Sequence, residues 1–395
     1  MDTRASIQPG ATLGIFGGGQ LGRMFVTAAS RLGYRVIVFC PSANDPAARL
    51  ADDVVVAPYD DHEAVRDFAS RCDVITLEFE NVPDDAVECA QKLAPVRPGV
   101  DVLRIAQDRI RERAFLDRHG FPVSPYRHVP SATALEDAVR ALNTDVVVKT
   151  ARLGYDGRGQ VRLGDAAAAS SAWDQLSTDS ALCESVVDFQ CELSMLVARS
   201  PAGRIEVFGP IENHHAHHIL DLSVVPAEVT PQIGQTATDL ARDIALALDL
   251  EGLICVEMFV TTDGSILVNE LAPRPHNSGH LTIEACRTSQ FEQQVRAICN
   301  LPLADMELRT PAAMVNLLGD LWAHHTPAWS HVLRDSTIAL HLYGKDVPRA
   351  RRKMGHMTAI ASSVGDARRR VLDARERLAN TGEEADDYEQ VVIHA

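Results

Sequence analysis

The first hundred residues confine the fold more tightly than any other part of the chain. Four short β-branched runs, Leu13 to Phe16, Arg35 to Phe39, Val54 to Ala57 and Val74 to Phe79, alternate with helical segments. Strands that alternate with helices close into a parallel, doubly wound sheet, because each parallel pair needs a crossover and the helix supplies it. Gly17, Gly19 and Gly22 fall at the first strand-to-helix turn as G-x-G-x-x-G. Such a turn can hold a phosphate on its amides at the helix N-terminus, or can serve only to pack helix on strand. A nicotinamide dinucleotide is the first reading, but those sites place Asp or Glu at the end of the second strand, and here Phe39 is followed by Cys40 and Pro41. Glu78 and Glu80 sit two apart at the end of the fourth strand, so they are expected to share a face where open sheets bind ligands; a plain polar strand end is the equal alternative.

From about Asp108 to Leu303 the character changes to long, antiparallel-looking strands joined by tight turns such as Ser200-Pro201-Ala202-Gly203, an α+β pattern. Val146 to Thr150 reads as a buried strand that ends in Lys149, and Gly154-Tyr155-Asp156-Gly157-Arg158-Gly159-Gln160 follows it. A lysine and a glycine loop together suit phosphate, since glycine lets backbone approach the oxygens and lysine supplies a point charge. This is no Walker A sequence, which needs G-K-[ST] at a helix start.

Downstream, Val256 to Val260 and Ile266 to Val268 read as strands around Thr261-Thr262-Asp263-Gly264. A two-residue Asp263-Gly264 loop sets Glu257 directly opposite Glu270. Carboxylates at opposed strand positions repel unless a cation lies between them, and magnesium commonly takes one or two protein carboxylates together with substrate phosphates. Asn269 could add a neutral oxygen; a slipped register would instead leave a solvated hairpin with its acids apart. Arg274, Pro275, His276, Asn277, Ser278, Gly279 and His280 follow at once, a density of polar groups typical of a ligand-handling loop.

Residues from about Thr310 onward read as a small appended β-rich unit with a helix near Arg368 to Asn380 and an acidic tail. The expected architecture is therefore α/β plus α+β: a doubly wound N-terminal domain over residues 1–107, a central domain over 108–305 and a β-rich C-terminal domain over 306–395. With 395 residues, 46% hydrophobic and 23% charged, the chain has the composition of a globular protein with a large core. A formal charge of -16 argues against broad nucleic-acid binding. Any anionic ligand must meet local bases, such as Arg109, Lys149 and Arg158 or the run Arg349, Arg351, Arg352 and Lys353. Met1 to Gly10 holds no apolar run of signal-peptide type and no segment is long enough to span a membrane, so cytoplasm is the expected location. The cysteines show no C-x-x-C spacing and are expected to be reduced. The run Glu212-Asn213-His214-His215-Ala216-His217-His218 looks metal-binding, but on a strand His214 and His218 face one way and His215 and His217 the other.

Together these motifs resemble the ATP-grasp superfamily and, within it, the N5-carboxyaminoimidazole ribonucleotide synthases. The resemblance rests on GGGQLGRM at Gly17 to Met24, LEFENVP at Leu77 to Pro83, GYDGRGQ at Gly154 to Gln160, NELAPRPHNSGH at Asn269 to His280 and RKMGH at Arg352 to His356. It implies a pre-ATP-grasp, ATP-grasp and C-terminal domain order, and carboxylation of 5-aminoimidazole ribonucleotide by bicarbonate with release of ADP and phosphate through carboxyphosphate, in purine biosynthesis. On this resemblance Arg109 and Lys149 contact ATP phosphates, with the loop Gly154, Tyr155, Asp156, Gly157, Arg158, Gly159 and Gln160 closing over them. Glu184, Ser185, Val186 and Val187 line the adenine hinge, Glu192 holds the ribose, and His215 and Asn269 lie near the nucleotide. Glu257 and Glu270 carry magnesium. Arg274, His276, Asn277 and Lys353 position bicarbonate and stabilise charge, while Gln20, Glu78, Tyr155, Asp156, Arg158, Ser278, Lys345 and Arg352 bind the aminoimidazole ribonucleotide. Where the family often has Arg-Asp-Gly, this chain has Ala216, His217 and His218, which puts that loop's nucleotide contacts in question. A homodimer is implied too. The alternatives are another ATP-grasp ligase such as a formate-dependent ribonucleotide transformylase or a biotin-carboxylase-like protein, a Rossmann dehydrogenase, and a non-catalytic nucleotide-binding module, which would be expected to have lost Lys149, Glu257 or Glu270.

Overall fold

The computed structural model describes residues 5–154, 157–323 and 326–379. Its N-terminal sheet is parallel, with β1 (Thr12–Phe16), β2 (Arg35–Cys40), β3 (Asp53–Val56) and β4 (Val74–Leu77) in the order β3-β2-β1-β4. Apolar side chains leave both faces of these strands, so both faces must be covered. On one side Phe16, Phe39 and Phe68 pack edge to face or tilted, with centroids 5.1 to 5.5 Å apart. Each such pair adds about 0.5–1.5 kcal/mol beyond area burial. On the other side Ile15, Phe25 and Val38 meet Val295 and Ile298 of helix Gln290–Ile298, which belongs to the middle of the chain. That contact ties the N-terminal layer to the rest of the molecule.

A smaller antiparallel sheet of β5 (Tyr126–Val129), β6 (Val146–Thr150), β7 (Gln160–Leu163) and β8 (Ala181–Ser185), in the order β5-β8-β6-β7, carries Lys149. The largest sheet holds β9 (Phe189–Arg199), β10 (Ile205–Ala216), β11 (Ile219–Val225), β12 (Gly252–Thr261), β13 (Ile266–Ala272), β14 (Ala312–Leu318), β15 (Ile338–Leu342) and β16 (Lys353–Ile360). Its order is β13-β12-β9-β10-β11-β14-β16-β15, all antiparallel. The last three strands are therefore not a separate appended sheet. Leu222 to Val225 pair with Val315 to Ala312, so the central sheet runs on through the expected division near residue 305.

Alternation gives this sheet two chemically different faces. Met195, Val197, Ile254, Val256 and Met258 point to one side and pack under helix Pro231–Ala247 through Ala237, Ala241 and Ile244. Truncating a side chain such as Ile244 to Ala there would cost about 2–5 kcal/mol. The opposite face presents Glu270, Glu257 and Ser194 in register across β13, β12 and β9, and Asn213 opposite Ser223 on β10 and β11, with Asn213 one same-face step along from Ile211, the register partner of Ser194; the candidate site is built on it.

Candidate active site

Glu257 and Glu270 are register partners, as the sequence leads one to expect, but by a different route. The turn is not a two-residue loop. Thr261 N donates to Ser265 O and Gly264 N to Thr261 O, both at 2.9 Å, and Asp263 Oδ1 accepts from Ser265 N. Near the turn the pairs are Val260 with Ile266 and Met258 with Val268; a bulge between Met258 and Glu257 then takes up Asn269 and brings the acids opposite each other. The displaced backbone is used: Asn269 O accepts from Arg113 Nη2 at 2.5 Å.

Helix Arg109–Arg118 lies beneath this hairpin, begun by Asp108, whose carboxylate accepts from the amides of Ile110 and Arg111. Arg109, Glu112 and Arg113 sit three and four residues apart, so they share one face. Arg109 Nη1 lies 3.1 Å from Glu270 Oε2. Glu112 accepts from Arg113 Nη1 at 2.9 Å and from Leu271 N at 2.9 Å. Arg113 Nε donates to Glu184 Oε1 at 2.7 Å, and Lys149 Nζ lies 2.7 Å from Glu184 Oε2. Burial alone would raise the Glu184 carboxyl; Lys149 and Arg113 outweigh it and hold the group well below the ordinary range. Burial pushes Glu112 up to about 7, opposed by Arg113 and reinforced by Glu270. The Glu184 side chain thus orients Lys149, and only its backbone is left to line a hinge with Ser185, Val186 and Val187. Glu112 and Arg113 were not foreseen: their helix is charged all round, and composition does not say which charges are covered.

His276 closes the other side of the acid pair. Its Nε2 lies 2.7 Å from Glu257 Oε1 and its Nδ1 2.8 Å from Ser278 Oγ. Burial works against charge on both partners, yet Cys255 and Glu257 raise the imidazole while His276 lowers the Glu257 carboxyl. The backbone of His276 is held by Gln290, whose side-chain amide accepts from His276 N at 2.9 Å and donates to His276 O at 2.7 Å. Gly279 makes that clamp possible, because a Cβ there would stand 2.5 Å from Gln290 Oε1. Ser278 is fully buried, so its hydroxyl serves His276 and Ser194 and does not line an open cavity for a substrate. Asn277 is also buried, and neither Nδ2 nor Oδ1 has a partner among the described residues. Arg274 is paired with Glu80 through both guanidinium Nε and Nη2. A neighbouring pair joins His215 Nδ1 to Glu192, which raises the imidazole against the effect of burial.

Glu78 and Glu80 do not share a face. β4 ends at Leu77; Glu80 turns to Arg274, while Glu78 accepts hydrogen bonds from the amides of Gly19 and Gly22. The helix Gln20–Arg31 has no side-chain cap of its own, so Glu78 fills that place and the glycine turn is occupied by a carboxylate. Gly17, with φ +106, permits the approach: a Cβ there would lie 2.2 Å from Glu78 Cγ. Burial raises the Glu78 carboxyl against those two amides and the charges of Lys345 and Arg274. Lys345 Nζ donates to Lys353 O at 2.7 Å, Arg352 acts electrostatically on Asp45, and Arg49 grips Gly344 O and Asp346, so the basic run lies against the glycine turn. Gln20 opens the helix at that turn.

The glycine loop reaches the large sheet. Tyr155 and Asp156 lie outside the described residues, but Gln160 Nε2 lies 3.2 Å from His218 Nδ1 and Gly157 packs on His218. The histidine run does not follow strand alternation to its end: β10 stops at Ala216, and His217 and His218 form a two-residue turn with φ 51 and 64. His214 turns to Glu212, His215 to Glu192 and His218 to Gln160. A cavity bordered by Glu80, Arg109, Arg152, Gly154 and Glu270 lies between the loop and the acids.

Magnesium fits the acid pair: two carboxylates face each other beside Arg109 and Lys149, the partial oxygen set that such an ion completes with phosphates and water. Among the described residues no group of three or more acidic, His or Cys ligands forms a closed protein cage.

Three family models divide the chain: a ribonucleotide synthetase preATP-grasp domain over residues 10–107, an ATP-grasp domain over 114–291 and a phosphoribosylaminoimidazole carboxylase C-terminal domain over 312–370. N5-carboxyaminoimidazole ribonucleotide synthase of Brucella melitensis is 43% identical over 359 residues, which is 90% of this chain and 98% of that protein. A crystal structure of an N5-carboxyaminoimidazole ribonucleotide synthetase with ADP superposes with a TM-score of 0.90 at 41% identity, covering 95% of this chain and 98% of that one. The Aspergillus clavatus enzyme in complex with ADP and 5-aminoimidazole ribonucleotide gives 0.86 at 32% identity, with 93% and 99% covered. Sequence, domain order and fold agree that the chain belongs to the N5-carboxyaminoimidazole ribonucleotide synthase family of ATP-grasp enzymes.

Proposed function

We infer that this chain forms N5-carboxyaminoimidazole ribonucleotide from 5-aminoimidazole ribonucleotide at the expense of ATP, the reaction of its family, and that bicarbonate is the carbon source. The observation that carries the residue assignment is the convergence of Glu257, Glu270, Arg109 and His276 on one face of one hairpin, with Asn277 beside them holding an unpartnered amide. Lys149, fixed by Glu184, and Arg109 bind the ATP phosphates, and Glu192 with His215 lies toward the ribose. Glu257 and Glu270, with Asn269 alongside, would hold magnesium, which when bound would neutralise charge on the phosphates. A bicarbonate oxygen attacks the γ-phosphorus as the bond to ADP breaks, giving carboxyphosphate. Arg274, His276, Asn277 and Lys353 orient the bicarbonate and meet the charge that develops. The exocyclic amine then attacks the carboxyl carbon, phosphate leaves with the transferred oxygen, and the amine gives up its proton.

Gln20, Glu78, Lys345 and Arg352, grouped at the glycine turn, form the ribonucleotide site together with Arg158 of the glycine loop; Tyr155 and Asp156, which the family resemblance assigns to the same site, lie outside the described residues. Closure of that loop excludes water from a mixed anhydride that water would hydrolyse. Ser278 supports this chemistry through His276. We assign a homodimer and a cytoplasmic location to the same reading; among the described residues no helix is long and apolar enough to cross a membrane. The test is ADP release by the purified protein with magnesium and bicarbonate, with and without 5-aminoimidazole ribonucleotide, with labelled carbon followed into product. Release that needs both substrates, with label incorporated, is expected. ADP release indifferent to the ribonucleotide would direct the search to another acceptor.

A further inference from the structure

We propose that Ser194 and Asn213 are positioning residues for His276, acting through the Ser278 hydroxyl; the proposal rests on the role given to His276 above. Nε2 of the ring faces Glu257, so whatever holds Nδ1 helps to set the plane of the ring and which nitrogen can donate. Nδ1 meets Ser278 Oγ at 2.8 Å, and Ser278 Oγ lies 2.7 Å from Ser194 Oγ. Asn213 Nδ2 donates to Ser194 Oγ at 3.0 Å, and Ser223 Oγ donates to Asn213 Oδ1 at 2.8 Å. The chain therefore crosses β9, β10 and β11 before it ends.

Its members are fully buried apart from Asn213, which is buried to nearly the same degree. Polar groups so deep in a core lower stability unless each is paired, and an apolar side chain would fill the space at less cost. Register explains how they meet. Ser194 stands opposite Glu257 on β12, and Asn213 stands opposite Ser223 on β11, so all lie on the sheet face that carries the acids. In the neutral ring Nδ1 accepts from Ser278 Oγ when the hydroxyl of Ser194 points at Ser278, and Asn213 points it there by donating to Ser194; in the protonated ring Nδ1 donates to the same hydroxyl. In either state Nε2 carries the hydrogen that faces Glu257. Gln290 fixes the backbone of the same residue, Glu257 meets Nε2, and Nδ1 is met by the Ser278 amide at 3.3 Å and by the Ser278 hydroxyl, the shorter of the two contacts and the one the serine chain orients.

The experiment is a double-mutant cycle on the full-length protein with Ser194→Ala and Ser278→Ala, reading kcat for product, the ratio of ADP to product, the KM for ATP, and the tautomer of His276 by NMR of isotope-labelled histidine. Each single variant is expected to lose about tenfold in kcat, the scale of second-shell support to a reactive histidine. KM for ATP should hold, and ADP should exceed product as the activated carboxylate escapes to water. The double variant should be no worse than the poorer single. Losses that multiply, as independent packing defects do, would overturn the proposal, and so would Ser194→Ala with wild-type kcat. If Ser194→Ala fails to fold, Ser194→Thr against Ser194→Val makes the same comparison, hydroxyl kept or removed. The NMR signature answers separately from turnover. A wild type with no ribonucleotide-dependent ADP release defeats the functional reading, whereas a His276 spectrum unchanged by Ser194→Ala defeats this one.

Discussion

Glu257 and Glu270 stand opposite each other across β12 and β13, with His276 against the first and Arg109 against the second. Each acid thus has a cationic neighbour of its own, and the magnesium proposed above would bind both. Glu270→Gln keeps shape and hydrogen bonding but removes one charge. ADP release should fall by about 100-fold or more, with unchanged circular dichroism and a raised magnesium requirement. Wild-type turnover in that variant would dismiss the metal assignment.

Lys149 and Arg113 both end on the Glu184 carboxylate. Glu184→Gln leaves Lys149 without its anion and Arg113 with Glu112 alone, and breaking a buried pair in this way costs about 3–5 kcal/mol. We expect a lower Tm together with a higher KM for ATP, because Lys149 loses its anchor. The wild-type carboxyl is depressed, so its contribution to stability is present above the unfolded carboxyl pKa and is lost as pH falls below it. A variant as stable as wild type in calorimetry would contradict this.

Glu112 gives the opposite sign. Burial lifts it to about 7, so between the ordinary carboxyl value of about 4.3 and that point the folded protein holds a proton the unfolded chain has released. Its contribution to stability therefore falls as pH rises through that window. Glu112→Gln cannot titrate; without magnesium or nucleotide, its urea midpoint should decline less than that of wild type between about pH 5 and pH 7. Parallel declines would remove Glu112 as the cause.

His217 and His218 make a two-residue turn with both φ angles positive, a conformation that Asn-Gly adopts with little strain and that costs other residues about 1–2 kcal/mol each. Replacing them with Asn and Gly should raise stability by about 1 kcal/mol or more. It should also raise the KM for ATP, since the ring that meets Gln160 at the glycine loop is gone. Measured together, a gain in Tm without a change in KM would show that the contact does nothing for the loop.

Much of this was legible because it is written in local periodicity. The parallel sheet followed from β-branched runs spaced by helices, and the acid pair from a hairpin. The acid pair nevertheless emerged through compensating departures: a longer Asp263 turn shifts the register by one, and the bulge at Asn269 restores it. Bulges depend on what lies beneath, here Arg113 reaching for the displaced carbonyl, and a single strand does not reveal that. Glu78 is the same lesson at the glycine turn, since the anion that its amides hold comes from a residue far along the chain. Ser194 and Asn213 carry no sequence signal at all; a serine in a buried strand gains meaning only when its neighbours across the sheet are known.

The most direct measurement of the central claim follows bicarbonate labelled with heavy oxygen through a single turnover with ATP, magnesium and 5-aminoimidazole ribonucleotide. If a bicarbonate oxygen attacks the γ-phosphorus in this site, one labelled oxygen per turnover appears in the released phosphate. Phosphate that carries oxygen from water alone would mean that ATP is hydrolysed without activating the carboxylate, and the assigned chemistry would be wrong.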